Sequence, residues 1–353
     1  LGEVTKTAIA NDLQQWSVSF PALKASTRAI TLKVETSHDH RRAVNDILVG
    51  DVWYLTGHTL LATEWPYNQR DKEAARPAAM PLVREFRRKT SASSSTTPRK
   101  RRFETGGGKY RSSWLTADYS TDNNGVTMFA YEFAKALNRE GIPQGFMTMT
   151  SGRGGRNRQI ASPLSWTSFH GVKDVKASAF RARLDELFLQ FPNTGIAEAA
   201  AARHVAEVKA FVQTIIAAGK RDADLAGAAP LSAPVFPEPG KGGTVRPDTI
   251  PTYAYNWCVS PLTPMAVSGV IWIPSEHNIG ETPAHYAAEL QIHANSLPST
   301  YGMEQVQFLY AQPTSSLVEG LTTPKIPGAK SVTFSQWPKS LHTLATELAK
   351  LAE

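Results

Sequence analysis

The sequence predicts an α/β fold in which a central parallel sheet is covered by helices on both faces. Three observations predict it. Short, continuously apolar runs recur along the chain, as strands buried on both sides require. Amphipathic helical stretches alternate with those runs. Each run ends in small or polar residues, the punctuation of a strand-to-helix turn.

Residues 1–46 read as a β-rich N-terminal segment. Alternation in Trp16-Ser17-Val18-Ser19-Phe20 and in Ala29-Ile30-Thr31-Leu32-Lys33-Val34 predicts an antiparallel strand pair, with Pro21 and Ser26-Thr27 between the two. Residues 47–353 read as the α/β domain, whose sheet has about five strands, at 47–55, 81–86, 145–150, 266–273 and 306–310. Helices are expected at 125–139, with Val126, Phe129, Phe133, Ala134 and Leu137 at helical spacing and Gly141 as the stop. Further helices are expected at 197–218 (alanine-rich), 282–297 and 338–352, the last opening on Pro338. Two segments interrupt this order, a basic Ser-rich insertion at 84–111 and a Pro/Gly-rich linker at 227–251. No internal repeat is visible.

Composition narrows the function classes. The chain has 353 residues, 41% of them hydrophobic, enough for a sizeable core. No run of about 18 apolar residues occurs, so no transmembrane helix is expected. Cys258 is the sole cysteine, which rules out an intrachain disulfide and a cysteine-rich zinc site. The histidines are scattered and none forms an H-E-x-x-H pattern, so neither a metal nor a cofactor is expected. The chain opens on Leu1 without a signal-like apolar stretch and reads as a mature or excised segment. Its net charge of +7 is local: residues 84–111 hold ten basic and two acidic side chains, a balance of +8. That segment reads as a solvated insertion, with polyanion binding as a second reading.

In an open parallel sheet, chemistry sits beyond the carboxyl ends of the strands. That rule directs attention to residues 56–61, 151–156, 274–279 and 335–338. The first strand and its exit read Gly50-Asp51-Val52-Trp53-Tyr54-Leu55-Thr56-Gly57-His58-Thr59-Leu60-Leu61. Phe133-Ala134-Lys135-Ala136-Leu137 is followed by Ile142-Pro143-Gln144-Gly145-Phe146-Met147. Later come Tyr255-Asn256-Trp257-Cys258-Val259-Ser260-Pro261-Leu262 and Gly269-Val270-Ile271-Trp272-Ile273-Pro274-Ser275-Glu276-His277-Asn278. In this order the motifs resemble the sialate O-acetylesterase-like branch of the SGNH (GDSL-like) hydrolases, which deacetylate carbohydrates. The corresponding family patterns are G-D-V-W-x-x-S-G-Q-S-N-M, F-A-x-x-L with V-P-x-G-L-I, Y-N-x-M-I-x-P-L and G-V-I-W-Y-Q-G-E-S-N. The likeness runs from about Trp16 to Pro313 and more loosely to the C-terminus.

The resemblance implies a three-layer α/β/α domain and an exported or cell-envelope protein. It implies a serine nucleophile in the first loop, an Asp and a His before the last helix, and an oxyanion hole that includes a glycine and an asparagine. On this chain the glycine falls on Gly152 and the asparagine on Asn256, while the serine position is Thr59. The family's D-x-H-P-K aligns with Ser335-Gln336-Trp337-Pro338-Lys339, so Ser335 stands for the aspartate and Trp337 for the histidine. Pro274 and Ser275 replace the glutamine and glycine of the W-x-Q-G-E segment. His58, Arg153, Glu276 and His277 are the expected substrate-binding residues.

Ester cleavage by a hydroxyl needs a base and oxyanion donors as well. Thr59 supplies a hydroxyl, with a methyl that restricts χ1. Trp337 offers only an N–H and accepts no proton. His58, His277 and His342 are the replacement bases to weigh. The expected function is a catalytically impaired carbohydrate esterase that retains a role in binding an acetylated glycan or as a structural subunit. The alternative is an active carbohydrate O-acetylesterase using Thr59.

Overall fold

The computed structural model of the chain describes residues 4–11, 16–37, 40–63, 77–87, 113–119, 125–150, 162–173, 195–220, 251–252, 254–279, 283–338 and 341–353. Nine strands lie among them: β1 (Ser26–Glu35), β2 (Arg41–Val49), β3 (Asp51–Gly57), β4 (Met80–Arg87), β5 (Ser113–Ala117), β6 (Gln144–Thr150), β7 (Gly269–Ile273), β8 (Gln307–Pro313) and β9 (Lys330–Phe334). Six α-helices lie among them: α1 (Met128–Leu137), α2 (Phe169–Lys173), α3 (Gly195–Lys220), α4 (Glu276–Ile279), α5 (Pro283–Tyr301) and α6 (His342–Leu351).

β3 to β9 form one seven-stranded sheet in the order β5-β4-β6-β3-β7-β8-β9. Neighbours run parallel throughout, except the edge pair β4 and β5. Four of the five expected runs hold one strand each; the first, 47–55, is divided at Gly50 between the end of β2 and β3, and β5 and β9 widen the sheet beyond them. Both are edge strands. β9 alternates exposed and half-buried positions, so it lacks the continuous apolar run of a strand covered twice. β1 and β2 form a separate two-stranded antiparallel ladder.

The central strands send alternate side chains to opposite faces. Trp53, Leu55, Phe146, Ile271, Ile273 and Leu309 meet α1 and α6 through Phe129, Phe133, Leu344 and Leu348. Tyr54, Met147, Val270, Trp272 and Phe308 meet α5 through Tyr286, Leu290 and Leu297. The result is the expected three-layer α/β/α arrangement. No helix among the described residues is long and apolar enough to cross a membrane.

Three expectations need correction. Residues 16–20 form no strand; β1 pairs instead with β2 across a connection closed by Thr36 N–H to His40 O at 3.0 Å. Trp16 and Phe20 are exposed, so nothing packs their alternation into a sheet. The last helix begins at His342, and Pro338 lies in the preceding extended connection. Finally, the start of the basic insertion is sheet, because Arg84–Arg87 complete β4. Residues 88–112, with most of the basic run, lie outside the described residues, as do 221–250 of the linker.

Glu85 explains why β4 enters the core there. Its side chain is fully buried, and its carboxyl oxygens accept from Thr127 N–H (2.5 Å), Thr127 Oγ1 (2.8 Å) and Thr148 Oγ1. Thr127 is the N-cap of α1, so an acidic group sits where unpaired helix N–H groups and the helix dipole favour one. One residue thereby ties β4, β6 and α1 together. Glu85→Ala is expected to cost about 2–3 kcal/mol, the worth of hydrogen bonds to a charged group. The check is a lower urea midpoint at unchanged m-value.

On the other face, His293 of α5 is buried between Trp272 and Phe308, with ring centroids at 5.7 and 6.0 Å. Thr167 Oγ1 donates to Pro163 O at 2.8 Å, so its oxygen receives the proton of His293 Nδ1 at 3.2 Å. Nε2 is then a bare acceptor without a hydrogen-bond partner. Burial drives the imidazole pKa down to about 3. Between that value and about 6.5, the ordinary histidine value, the unfolded chain binds a proton that the folded chain does not. Stability therefore falls as pH drops through that window, by up to about 1.4 kcal/mol per pH unit from this one group. Urea unfolding between pH 4 and 6 checks it: the His293→Leu variant is expected to lose this part of the slope.

Candidate active site

The site grows from the end of β3. Gly57 has a φ of +108°, and a Cβ there would stand 2.1 Å from the Ile273 carbonyl oxygen. Only glycine lets β3 stop this close to β7 and turn. His58 N–H then donates to the same Ile273 oxygen at 2.7 Å. The exits of β3 and β7 are thus joined directly, which sets Thr59 beside the turn at Pro274 and Ser275.

Thr59 opens a 3-10 turn, Thr59–Ala62, whose N-cap is His58. His58 Nδ1 accepts from Leu60 N–H at 2.9 Å. A neutral imidazole has one lone pair, and this contact uses it. The neutral ring therefore carries its proton on Nε2, and His58 shapes the turn instead of receiving the Thr59 proton. Thr63, the C-cap, accepts from Met128 N–H at 3.0 Å, which ties the turn to the start of α1. Among the described residues, none hydrogen-bonds to the half-buried Thr59 hydroxyl.

At the β7 exit, Ser275 is buried, and both its N–H (2.5 Å) and its Oγ (2.6 Å) donate to Asn278 Oδ1. The Asn278 carbonyl is engaged within the turn, and Asn278 N–H returns to Ser275 O at 3.0 Å. Glu276, in the first turn of α4, is exposed. The His277 side chain lies outside the described residues.

Asn256 sits in a single π-helical turn, Tyr255–Val259, and is 2% exposed. Its backbone N–H donates to Thr252 O at 2.8 Å, and Nδ2 donates to Thr252 Oγ1 at 3.4 Å. Thr252 N–H in turn donates to Leu164 O at 2.9 Å. Burial raises the pKa of the neighbouring Tyr255 phenol, opposed in part by a hydrogen bond with Thr263. It is a neutral group at ordinary pH.

Beyond β9, Ser335 is exposed. Trp337 is half-buried against the second core cluster, with its ring 5.4 Å from Phe334 in an edge-to-face contact. The indole occupies the stretch between the last strand and the last helix. Gly152 and Arg153 lie outside the described residues.

An imidazole faces a carboxylate between two helices. His342 Nδ1 lies 3.4 Å from Glu132 Oε2, with Glu132 nearly buried on α1 and His342 about half exposed at the start of α6. Both helices begin at the sheet edge that carries Thr59. Reading the sequence singled out His342 but not Glu132, whose place on the inner face of α1 looks like a break in an apolar pattern. Among the described residues, no group of three or more His, Cys, Asp or Glu side chains could hold a metal ion.

No family model matches the chain, and no curated protein matches it. Among solved structures it is similar to a carbohydrate acetylesterase from Xanthomonas citri, at 20% identity with a TM-score of 0.59. The alignment covers 96% of this chain and 63% of that one, so the chain spans less than two thirds of that structure's length. A protein from Arabidopsis thaliana aligns at 11% identity over 86% of this chain and 98% of its own, with a TM-score of 0.37, too low to speak for a shared fold. The first likeness supports the α/β/α fold.

The glycine at the β3 exit gives a direct test of this construction. Gly57→Ala is expected to destabilise the protein by at least about 2 kcal/mol, through a strained φ and a clash with backbone. Thermal unfolding would reveal this as a lowered midpoint. A wild-type midpoint would mean that the β3 and β7 exits are not held this closely.

Proposed function

We propose that the chain is a carbohydrate-esterase-like protein of the SGNH type whose cleft binds an acetylated glycan but hydrolyses it poorly. The observation that carries this reading is the environment of Thr59. Where the family resemblance calls for a histidine, Trp337 packs on Phe334, and an indole accepts no proton. The adjacent imidazole, His58, has its Nδ1 lone pair committed to Leu60 N–H. A hydroxyl without a base is a weak nucleophile, and base assistance contributes about 10²–10⁴-fold to rate. The similarity to a carbohydrate acetylesterase supports a sugar ester as the ligand class.

A second reading rests on a specific observation, the His342–Glu132 pair. Here the protein is an active acetylesterase. The Thr59 hydroxyl adds to the acetyl carbonyl, His342 takes its proton and gives it to the departing sugar oxygen, and water then cleaves the acetyl-threonine.

Hydrolysis of p-nitrophenyl acetate by the purified protein separates the two. The first reading expects turnover within a few-fold of buffer, unchanged in Thr59→Ala and in His342→Ala. Turnover well above buffer that disappears in both variants overturns it in favour of the second.

A further inference from the structure

Trp114 is set apart by how its ring is held. Among the described residues of β4, β5 and β6 it is the one exposed large apolar side chain, 51% open. One exposed apolar residue is ordinary on a protein surface, so openness alone says little. The geometry beneath it says more. β4 lies between β5 and β6, and Trp114 stands opposite Phe86 across the β4–β5 ladder. The benzo end of the indole nonetheless reaches β6, where Cζ3 and Cη2 lie 3.6 Å from the point that a Cβ on Gly145 would occupy. The ring therefore lies down across β4 instead of projecting from β5. Phe86 flanks it, with ring centroids 5.7 Å apart and planes inclined by 53°. Val52 Cγ2, 3.5 Å from the same point on Gly145, borders its far end. Packed on one side and open on the other, the indole is a fixed apolar plate.

Its polar neighbours narrow what the plate can take. Side chains two apart on a strand share a face, so Arg84 and Thr116, paired across β4 and β5, lie on the face of Phe86 and Trp114. Thr116 is exposed. Arg84 donates to Asp46 O at 2.5 Å and to Asp46 Oδ1 at 2.9 Å, so its charge is matched. A nucleotide or another anion asks for a cation that is not already matched. A stable protein partner asks for about 800 Å² on each side. Here one indole is bordered by a hydroxyl and an ion pair. A pyranose with equatorial hydroxyls asks for neither a bare cation nor a wide apolar face. Its two faces are C–H surface that packs on a π-system, and its rim hydroxyls both donate and accept.

We propose that Trp114 is the stacking platform of a carbohydrate site on the face of the sheet. It takes one pyranose ring of a β-linked glucan, with Thr116 and the Arg84–Asp46 pair beside the rim. The site is separate from the Thr59 turn. Through Phe86 and Met147, Trp114 is level with Tyr54, ahead of Gly57 and the β3 exit, and β4 and β6 lie between the two strands. It therefore goes beyond the reading of the Thr59 cleft and does not depend on it. A ring already packed on one side loses little freedom when a sugar covers the other, which favours binding through a single plate.

The test follows the Trp114 indole N–H in proton–nitrogen correlation spectra of the whole chain while cellotetraose is added. Its resonance is assigned by its absence in Trp114→Phe. It is expected to shift and to saturate in the millimolar range. By saturation-transfer NMR, Trp114→Ala is expected to bind cellotetraose about tenfold more weakly, the worth of one ring contact. Trp114→Tyr is expected to stay within a few-fold of wild type. A resonance that does not move overturns the proposal, and so does wild-type binding by Trp114→Ala. A larger shift with adenosine monophosphate assigns the plate to nucleotides and overturns it. A shift on concentrating the protein without sugar shows contact between copies and overturns it too. Thr59→Ala is expected to keep the Trp114 shift; its loss there would put the sugar in the cleft and end the proposal, while leaving the cleft reading intact. The thermal midpoint of Trp114→Ala is expected near wild type, because half of the side chain is already open.

Discussion

The candidate site depends on one contact, the approach of Gly57 to the backbone of Ile273. Parallel strands deliver their chain exits to a common edge, but they do not by themselves bring two exits into register. Here the missing Cβ of Gly57 and the bond from His58 N–H to Ile273 O do so. Because β3 and β7 are neighbours at the centre of the sheet, both exits inherit the rigidity of strands buried on both faces. The short turn after Gly57 is then capped by the residue beside Thr59 and anchored through Thr63 to α1. A threonine held this way has little freedom to move toward a base that is not already in place.

Polar groups inside the sandwich follow the same economy of partners. Glu85 is buried yet bonded by donors from β6 and the α1 cap, so its burial strengthens the layer contact. His293 is buried with one nitrogen bonded and the other bare, so it tolerates only the neutral form. The two residues lie on opposite faces of the sheet. One fixes the helix that buttresses the Thr59 turn; the other makes the α5 face sensitive to acid.

The central strands were legible because burial on both faces demands mostly apolar runs, and 145–150 and 266–273 are such runs, broken only by Thr148, Thr150 and Ser268. The edge strand β9 was not, since one side of it faces water and its residues alternate weakly. The strand pair at the N-terminus was legible as a pair but not in its partners, because two alternating segments flank β1 and only tertiary context chooses between them. Glu85 was hidden for a different reason. One of two acids among ten basic residues reads as part of a solvated run, and nothing local reveals that a helix cap will fold over it. Thr59, Asn256 and Trp337 stood out through ordered motifs, whereas Trp114 did not, because the sequence gives no sign of which side of an edge strand stays open.

Holding an ester and splitting it demand different groups. Holding asks for donors; splitting asks for a basic lone pair aimed at the nucleophile. At the β3 and β7 exits, two acceptors are already engaged. His58 Nδ1 receives Leu60 N–H, and Asn278 Oδ1 receives both donors of Ser275. Trp337 packs on Phe334, and an indole offers only a donor. The His342–Glu132 pair sets an imidazole beside a carboxylate, and it is attached to the helix layer, not to the turn that carries Thr59. Among the described residues, no hydrogen bond joins that pair to Thr59. The turn resists displacement, because moving it breaks the Met128 N–H bond and the Gly57–Ile273 contact together. Under the proposed reading, an edge so arranged would favour recognition over turnover.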